Sequence, residues 1–321
     1  MTPVSNIISN INMTPDISTR LKHITLNNPI MTASGTCGYT YELDDFVKIS
    51  SLGAFVTKSI TLKPRKGNPP QRTVETPSGM LNAIGLANIG LDRFIKENMP
   101  LFDDLTIPLF VNVAEKSPER YVEVIKRVCD MQRVNGIELN ISCPNVHKGG
   151  VTIGADCTQT EQLVNQVKAA MPDNKLLIVK LTPNVTDICQ TAQAAVDGGA
   201  DCLSLINTIT GMVIDIESRT PVIGNRIGGM SGPAVRPIAV RMVHQVYDNV
   251  AKQNNIPIIG IGGIASASDA LQFIIAGASA VQIGTAVFTN PGVMTDVISG
   301  IKTYMQKHRI EKLSDLIGSL K

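Results

Sequence analysis

A complete strand–helix–strand unit is present in residues 256–285, which read IPIIGIGGIASASDALQFIIAGASAVQIGT. The apolar run IPIIGIGG (256–263) has no polar alternation, which is typical of a strand buried on both faces. Ser266 followed by Asp269 predicts the start of a helix, because a hydroxyl at that position accepts hydrogen bonds from the unpaired first backbone N–H groups. The run AVQIGT (280–285) then predicts a second strand. A strand, a crossover helix and another strand are typical of parallel β-structure.

The same alternation recurs along the chain. Six further apolar runs have β-rich compositions and are followed by segments of helical period: PIMTAS (29–34), AFVTKS (54–59), PLFVNV (108–113), GIELNIS (136–142), LLIVKL (176–181) and CLSLIN (202–207). Eight such units predict an α/β fold, a (β/α)₈ TIM barrel, whose active site lies at the carboxyl ends of the strands. We expect residues 1–20 to be an N-terminal extension and residues 21–321 to form one barrel domain.

Local signals refine this prediction. Residues 21–30 predict a hairpin that turns at Asn27-Asn28 and leads into the first barrel strand. Further helix starts are predicted at Ser117-Pro118, at Thr158 with Glu161, and at Asn290-Pro291. The two long connections, 60–107 and 208–235, are interpreted as lids or binding loops over the mouth of the barrel.

Composition excludes several classes of function. The 321 residues are 43% hydrophobic and carry a net charge of +2, with 4% aromatic residues and no Trp, so neither a basic surface nor stacking platforms for nucleic acid are expected. Six cysteines without a CxxC pair predict no metal or iron–sulfur site, and reduced thiols in a cytoplasmic protein. No segment approaches the roughly 18 apolar residues of a membrane span, and residues 1–19 lack the Lys or Arg of a secretory signal.

The strand ends carry a complementary polar set. Lys58 and Lys180 each end an apolar run, which suits a carboxylate, a phosphate or the charge of a reduced flavin; the alternative is that each extends outward to solvent. The pairs Gly262-Gly263 and Gly284-Thr285 follow the last two strands, where this fold commonly binds phosphate. GIGGIA (260–265) also fits a dinucleotide pattern, but no acidic residue follows at the required distance of roughly 20 positions.

Asparagines and one cysteine complete the candidate site. Asn82, Asn112, Asn140, Asn145 and Asn207 suit a planar ligand edge that alternates N–H and C=O groups, although turn or cap chemistry is the alternative for each. Cys143 follows the fourth strand in NISCPN and is a candidate base or nucleophile, with His147 as a rival base. Cys37 and Cys157 are also expected in loops, whereas Cys129, Cys189 and Cys202 are expected to be inert and buried.

These residues resemble the class 1 dihydroorotate dehydrogenases, and within them the type B catalytic subunits. The resemblance runs from about residue 21 onward, and its motifs are TKSIT (57–61), GMLNAIGLANIG (79–90), ELNISCPNVHKGG (138–150), VKLTPNVTDI (179–188), INT (206–208), GGMSGPAVRPIA (228–239), IPIIGIGGI (256–264) and GASAVQIGTA (277–286). It implies oxidation of (S)-dihydroorotate to orotate in pyrimidine (UMP) biosynthesis, with a hydride passing to FMN and a proton to Cys143.

The resemblance also implies roles for single residues. The substrate contacts would be Lys58, Asn82, Ala83, Ile84, Gly85, Leu86, Asn140, Asn207 and Thr208. The FMN contacts would be Ser34, Lys58, Ser59, Asn112, Asn140, Lys180, Ile206, Gly232, Gly262, Gly263, Gly284 and Thr285. No metal ligand is implied.

A partner is implied as well. The resemblance predicts a catalytic homodimer within a heterotetramer, in which a second subunit carries FAD and a [2Fe-2S] cluster and passes electrons to NAD. Two alternatives remain open at this point: a class 1 enzyme that uses fumarate or another soluble acceptor, and a flavin-binding barrel subunit without turnover.

Overall fold

The computed structural model describes residues 14–39, 46–142 and 153–321. Within them, sixteen strands occur in chain order: β1 Thr19–Leu21, β2 Ile24–Leu26, β3 Ile30–Thr32, β4 Phe55–Val56, β5 Thr73–Thr76, β6 Gly79–Asn82, β7 Leu109–Val113, β8 Gly136–Asn140, β9 Leu176–Lys180, β10 Cys202–Leu205, β11 Ile209–Gly211, β12 Ile214–Asp215, β13 Thr220–Pro221, β14 Gly228–Ser231, β15 Ile258–Ile261 and β16 Ala280–Ile283.

The α-helices of the same residues are α1 Leu91–Arg93, α2 Pro118–Cys129, α3 Cys157–Ala169, α4 Ile188–Asp197, α5 Arg236–Val246, α6 Lys252–Asn254, α7 Ala267–Ile275 and α8 Val293–His308. Two π-helical segments, Phe94–Asn98 and Tyr247–Ala251, continue α1 and α5. Short 3₁₀ turns occur at Ile49–Ser51, Met99–Phe102, Ile153–Ala155, Pro233–Val235, Thr285–Phe288 and Leu313–Asp315. None of the described helices is both long and apolar enough to cross a bilayer.

Eight parallel strands form the barrel, in the order β3-β16-β15-β10-β9-β8-β7-β4. A parallel bridge between Met31 and Ala54 joins β3 to the segment before β4 and closes the cylinder. Thr32 strengthens this closure, because its hydroxyl donates to the Val56 carbonyl at 3.1 Å and accepts from the Val56 N–H at 2.7 Å. All eight predicted strands are confirmed, and so is the (β/α)₈ barrel.

An apolar layer fills the amino-terminal half of the barrel. Alternate residues of each strand point inward, so a single strand contributes to the interior at every second position. The inward cluster includes side chains from the barrel strands and from β1 and β2: Leu21, Ile24, Leu26, Met31, Ala54, Val56, Phe110, Leu176, Ile178, Cys202, Ile259, Ile261 and Ala280. The β1–β2 hairpin therefore plugs the amino-terminal end of the cylinder.

A hairpin does lead into the first barrel strand, as predicted, but it spans residues 19–26, and the predicted bounds and turn are wrong. The chain turns at Lys22-His23, where Lys22 adopts a φ of 54°, and not at Asn27-Asn28. Asn28 instead anchors the chain to the barrel: its Nδ2 donates to the Ser51 carbonyl at 2.8 Å and its Oδ1 accepts from the Ile30 N–H at 3.1 Å.

The two long connections are more ordered than the loops that we predicted. Each contributes two strands to one antiparallel sheet of order β11-β14-β6-β5. Its central pairing aligns Asn82 with Gly229 and Leu81 with Met230. β11 follows the carboxyl end of β10, so this sheet, which we call the lid sheet, lies on the side of the barrel where an active site is expected.

Two of the four predicted helix starts are confirmed. Ser117 precedes α2, and the Ser266 hydroxyl accepts from the Asp269 N–H at 3.2 Å at the start of α7. The Thr158 and Glu161 prediction is wrong by two residues, because α3 begins at Cys157 and Asp156, not Thr158, caps it by accepting from the Gln159 N–H at 3.0 Å. Cys157 therefore lies in a helix and not in a loop.

The helix start predicted at Asn290-Pro291 is wrong by two residues. α8 begins at Val293, later than Pro291. Asn290 acts just before the helix, where its Oδ1 accepts from the Gly292 N–H at 3.0 Å. The asparagine therefore forms a turn that leads into the helix and does not cap it.

Candidate active site

Four predicted ligand contacts lie in one hydrogen-bonded group at the carboxyl ends of the strands. Ser59 donates to Asn112 Oδ1 at 2.6 Å, and Lys180 Nζ donates to Ser34 Oγ at 3.1 Å. Each residue lies at or just after the end of a different barrel strand, namely β3, β4, β7 and β9. Parallel strands ending at one edge explain why residues so distant in sequence meet here.

Glu138, in the middle of β8, joins the two halves of this group. Its Oε1 accepts from Asn112 Nδ2 at 2.6 Å and from Lys180 Nζ at 3.4 Å. Its Oε2 accepts from Ser204 Oγ at 3.2 Å and from Gln282 Nε2 at 2.6 Å. A buried carboxylate is tolerated only when it is paired and hydrogen-bonded, and these four donors meet that requirement.

Glu138 was not among the predicted site residues. The signal was nevertheless present, since an acidic residue in the apolar strand GIELN occupies the same inward parity as Asn140. The side chain is fully buried, with an exposure of 0%. A charge at such a position predicts a partner inside the barrel, but the sequence does not say which strands supply it.

A second polar group connects β8 with the segment after β10. Asn207 Nδ2 donates to Ser142 Oγ at 3.0 Å and lies 3.4 Å from Asn140 Oδ1. The Ser142 N–H also donates to Asn140 Oδ1 at 3.1 Å, and the Thr208 N–H donates to Asn207 Oδ1 at 2.8 Å. The structure therefore brings two predicted amides, those of Asn140 and Asn207, close to each other and to Ser142. Ser142 directly precedes Cys143, the candidate base, in the sequence.

Cys143, Asn145 and His147 lie outside the described residues. The chain on either side of them is held to the barrel: the Gly154 N–H donates to the Ile141 carbonyl at 2.9 Å. The assignment of Cys143 as the base and of His147 as its rival therefore stays a prediction.

Lys58 differs from the other predicted lysine. Lys180 is buried and forms an ion pair with Glu138, whereas Lys58 is half-buried and its Nζ has no hydrogen-bond or ion-pair partner among the described residues. Its backbone is fixed, because the Lys58 N–H donates to the Gly38 carbonyl at 2.9 Å. An ammonium group without a partner among the described residues suits an anionic ligand.

The segment from Asn82 to Leu86 leaves the lid sheet in a constrained conformation. Asn82 Nδ2 donates to the Gly229 carbonyl at 3.2 Å, which ties the start of the segment to β14. Gly85 and Leu86 both adopt positive φ, at 72° and 56°. Asn68 Nδ2 donates to the Ala83 carbonyl, and the Asn68 N–H donates to that of Ile84. These bonds hold the segment in a defined shape.

The glycines after β14 and β15 approach each other closely. Gly263 has a φ of 69°, and a Cβ built on it would lie 2.5 Å from the Gly232 carbonyl oxygen. A Cβ on Gly262 would lie 2.8 Å from Ala239 Cβ and 3.7 Å from the Ile206 side chain. Only glycine fits this backbone, which can therefore approach a ligand without an intervening side chain.

The neighbouring strand end adds hydroxyl and backbone donors. Thr285 Oγ1 donates to Ser231 Oγ at 2.8 Å, which links the end of β16 to the lid sheet. Thr285 also begins a 3₁₀ turn, whose first N–H groups have no partner within the turn. Glycine backbone, a hydroxyl and free N–H groups form a donor set that suits a phosphate.

Of the three cysteines expected to be inert and buried, Cys129 and Cys202 are buried, whereas Cys189 is only half-buried. Burial raises the pKa of the Cys129 thiol to about 11, and it raises the pKa of Cys202 well above its ordinary value. Burial also raises the pKa of Cys189, with Asp187 nearby adding to the effect. A raised pKa disfavours the reactive thiolate, so these residues are poor bases or nucleophiles at neutral pH.

Comparisons with known proteins agree on one family. A family model described as dihydroorotate dehydrogenase matches residues 16–305. The chain is 51% identical over 308 residues (96% of this chain, 99% of the relative) to a Pelobacter propionicus protein named "Dihydroorotate dehydrogenase B (NAD(+)), catalytic subunit". Relatives with the same name are 48% identical in Geotalea daltonii (96% and 99% covered) and 50% identical in a Thermoanaerobacter species (92% and 96% covered). The chain therefore belongs to the dihydroorotate dehydrogenase family.

Proposed function

We propose that this chain oxidises (S)-dihydroorotate to orotate in pyrimidine biosynthesis, as the FMN-bearing catalytic subunit of an NAD-linked dihydroorotate dehydrogenase. The observation that carries the proposal is the joining, at one end of the barrel, of polar residues from strands distant in sequence. Ser34, Ser59, Asn112 and Lys180 form one group through Glu138. Nearly full-length similarity to proteins named as catalytic subunits supports the same function.

The substrate is an anion with a planar polar ring, and the chain offers groups for both parts. Lys58 carries the cation without a described partner and is proposed to bind the carboxylate. Asn140 and Asn207 present amides that donate and accept, as the N–H and C=O groups along the ring require. Cys143 is proposed to accept the proton from carbon 5 of the substrate.

The residues present fit an FMN. The backbone around Gly263 and the donors at Thr285 suit its phosphate, and the group around Lys180 suits the polar edge of its ring. Bound FMN supplies an acceptor for the hydride that leaves carbon 6 as the double bond to carbon 5 forms. Lys180 would stabilise the negative charge of the reduced flavin.

The test is anaerobic mixing of the purified yellow protein with dihydroorotate. Bleaching of the flavin absorption band, with orotate formed in equal amount, supports the proposal. Unchanged colour would show a flavin-binding subunit without turnover. Turnover of the isolated chain with fumarate at full rate would instead support a soluble acceptor.

We further propose a catalytic homodimer flanked by two electron-transfer subunits that carry FAD, a [2Fe-2S] cluster and the NAD site, all in the cytoplasm. The relatives' name, catalytic subunit of an NAD(+) enzyme, supports a partner subunit. Co-purification from the native host followed by cofactor analysis tests this assembly, and full-rate NAD reduction by the isolated chain would contradict it.

A further inference from the structure

The interior of the barrel holds a carboxylate that the proposed chemistry does not use. Glu138 is fully buried, and its four donors come from four other strands. They are Asn112 on β7, Lys180 on β9, Ser204 on β10 and Gln282 on β16. A group bonded to half of the barrel strands is held more firmly than any single pair would hold it.

Two of these donors, Asn112 and Lys180, are themselves proposed flavin contacts, and Glu138 determines the orientation of both side chains. A carboxylate only accepts hydrogen bonds, so Asn112 must turn its Nδ2 toward Glu138, which leaves its Oδ1 for the Ser59 hydroxyl. Lys180 is held between Glu138 and Ser34, at 3.4 Å and 3.1 Å. The orientation of both contacts therefore depends on one carboxylate that lies beneath them.

Glu138 also determines the net charge of this group. Lys180 and Glu138 are both shielded from solvent, so the anion offsets the cation with little screening by water. Without the anion, the cation would act undiminished on any negative charge that develops nearby.

We propose that Glu138 is a positioning residue that orients Asn112 and Lys180 toward the flavin and lowers the reduction potential of that flavin by offsetting the charge of Lys180. This inference rests on the proposed function, because it places FMN next to Lys180. It concerns the thermodynamics of flavin reduction, and it leaves the identity of the base and of the substrate unchanged.

Glu138→Gln is a suitable probe because the network can re-form around a neutral amide. The new Nε2 would replace Oε2, next to the Ser204 hydroxyl, which can rotate to accept. Gln282 has a buried Oε1 without a described hydrogen-bond partner, so rotating its amide would supply a second acceptor. The oxygen of the substituted side chain, in the place of Glu138 Oε1, would keep accepting from Asn112 and Lys180. The substitution thus removes the charge and retains the contacts.

The experiment measures the two-electron midpoint potential of FMN bound to the wild-type chain and to Glu138→Gln, at fixed pH. Loss of the anion should favour the reduced flavin by about 10-fold, a shift of about +30 mV for a two-electron couple. Ser204→Ala is the matched control, since it removes a donor to the same carboxylate and keeps the charge; we expect its potential to stay at the wild-type value. An unshifted potential in Glu138→Gln with normal FMN binding would overturn the inference.

A second variant tests independently whether Glu138 orients Asn112 and Lys180. It also covers the case in which Glu138→Gln does not fold. Glu138→Asp keeps the charge but shortens the reach by one methylene, so we expect weaker FMN binding, by about 10-fold or more, as Asn112 and Lys180 lose their support. Wild-type FMN affinity in this variant would overturn the inference that Glu138 positions these two contacts. Failure of the wild-type chain to bind FMN would instead contradict the proposed function.

Discussion

The two ends of the barrel interior are built from the same strands but have opposite chemistry. On β9 the inward residue Ile178 belongs to the apolar layer, and the next inward residue, Lys180, belongs to the polar group. On β7 the same change occurs between Phe110 and Asn112. One step of two residues, about 6.6 Å along a strand, separates a region that stabilises the fold from a region that can bind a ligand.

The difference shows how a barrel separates stability from function. The amino-terminal layer gains free energy from the burial of apolar surface and is plugged by the β1–β2 hairpin. The carboxyl-terminal layer buries charge. This is tolerated because the polar groups around Glu138 are hydrogen-bonded, with Gln282 Oε1 as the exception among the described residues. Changes at one end should therefore affect folding, and changes at the other should affect binding and rate.

The largest effect is expected for Cys143→Ala, which removes the proposed base. If Cys143 is the base, flavin reduction by dihydroorotate should slow by about 10² to 10⁴-fold, while FMN binding and the free energy of unfolding stay unchanged. Stopped-flow absorbance under anaerobic conditions measures the rate. Unaltered kinetics would transfer the role to His147 or to solvent.

At the amino-terminal end of the barrel, Phe110→Ala should act on stability. Phe110 is fully buried in the apolar layer, so its truncation should cost about 3 to 5 kcal/mol of unfolding free energy in urea titrations. Ile216→Ala is the control, because Ile216 is 80% exposed and should change stability by about 0.5 kcal/mol or less. Equal losses in the two variants would show that the apolar layer does not carry the stability assigned to it.

Lys58→Met should weaken substrate binding without weakening the fold. Loss of a charged hydrogen bond to the carboxylate, worth about 1.5 to 3 kcal/mol, should raise the dissociation constant of orotate by roughly 10- to 150-fold. Titration of the flavin spectrum with orotate measures this constant. A variant with wild-type orotate affinity would place the substrate carboxylate elsewhere.

A smaller effect on the free energy of unfolding, confined to alkaline pH, is expected from the Cys129 thiol at the end of α2. Burial raises the pKa of Cys129 from an ordinary value of 9.0 to about 11, so between these values the unfolded chain releases a proton that the folded chain retains. Stability should therefore be unaffected by this thiol below pH 9 and fall by about 1.4 kcal/mol per pH unit between pH 9 and 11.

The comparison of wild type with Cys129→Ala isolates this contribution. Burial lowers the pKa of the nearby Lys175 and the charge of Cys129 raises it, so Lys175 opposes the trend in both proteins, and more strongly in the variant, which narrows the stability difference further. The stability difference between the two proteins should narrow from pH 9 to 11 in urea unfolding series. A difference that is constant with pH would show that Cys129 does not retain its proton in the folded state.

Much of the architecture was predictable because it depends on local pattern. Strands buried on both faces, such as LLIVK in β9, must be continuously apolar, and Ser266 caps α7 through contacts only three residues apart. The hairpin turn was not predictable in the same way. Asn27-Asn28 has the better turn composition, but Asn28 is needed to bind Ser51 and Ile30 at the start of the barrel.

The lid sheet and the Glu138 group were beyond sequence reasoning for a related reason. β6 and β14 pair residues 147 positions apart, and GMLN and GGMS contain few residues that favour strands. Their strand character comes from each other and not from their own composition. Glu138 is visible as an anomaly in an apolar strand, but its nearest donor in sequence is 26 residues away.

The sequence by itself determined the eight strand–helix units, the end of the barrel that carries polar residues, and the family, because these depend on residue type and spacing along the chain. Only the tertiary structure decided which polar groups meet, where the hairpin turns and how the two long connections pair. Those features are interactions between segments far apart in sequence, and their free energy exists only after the barrel has brought the segments together.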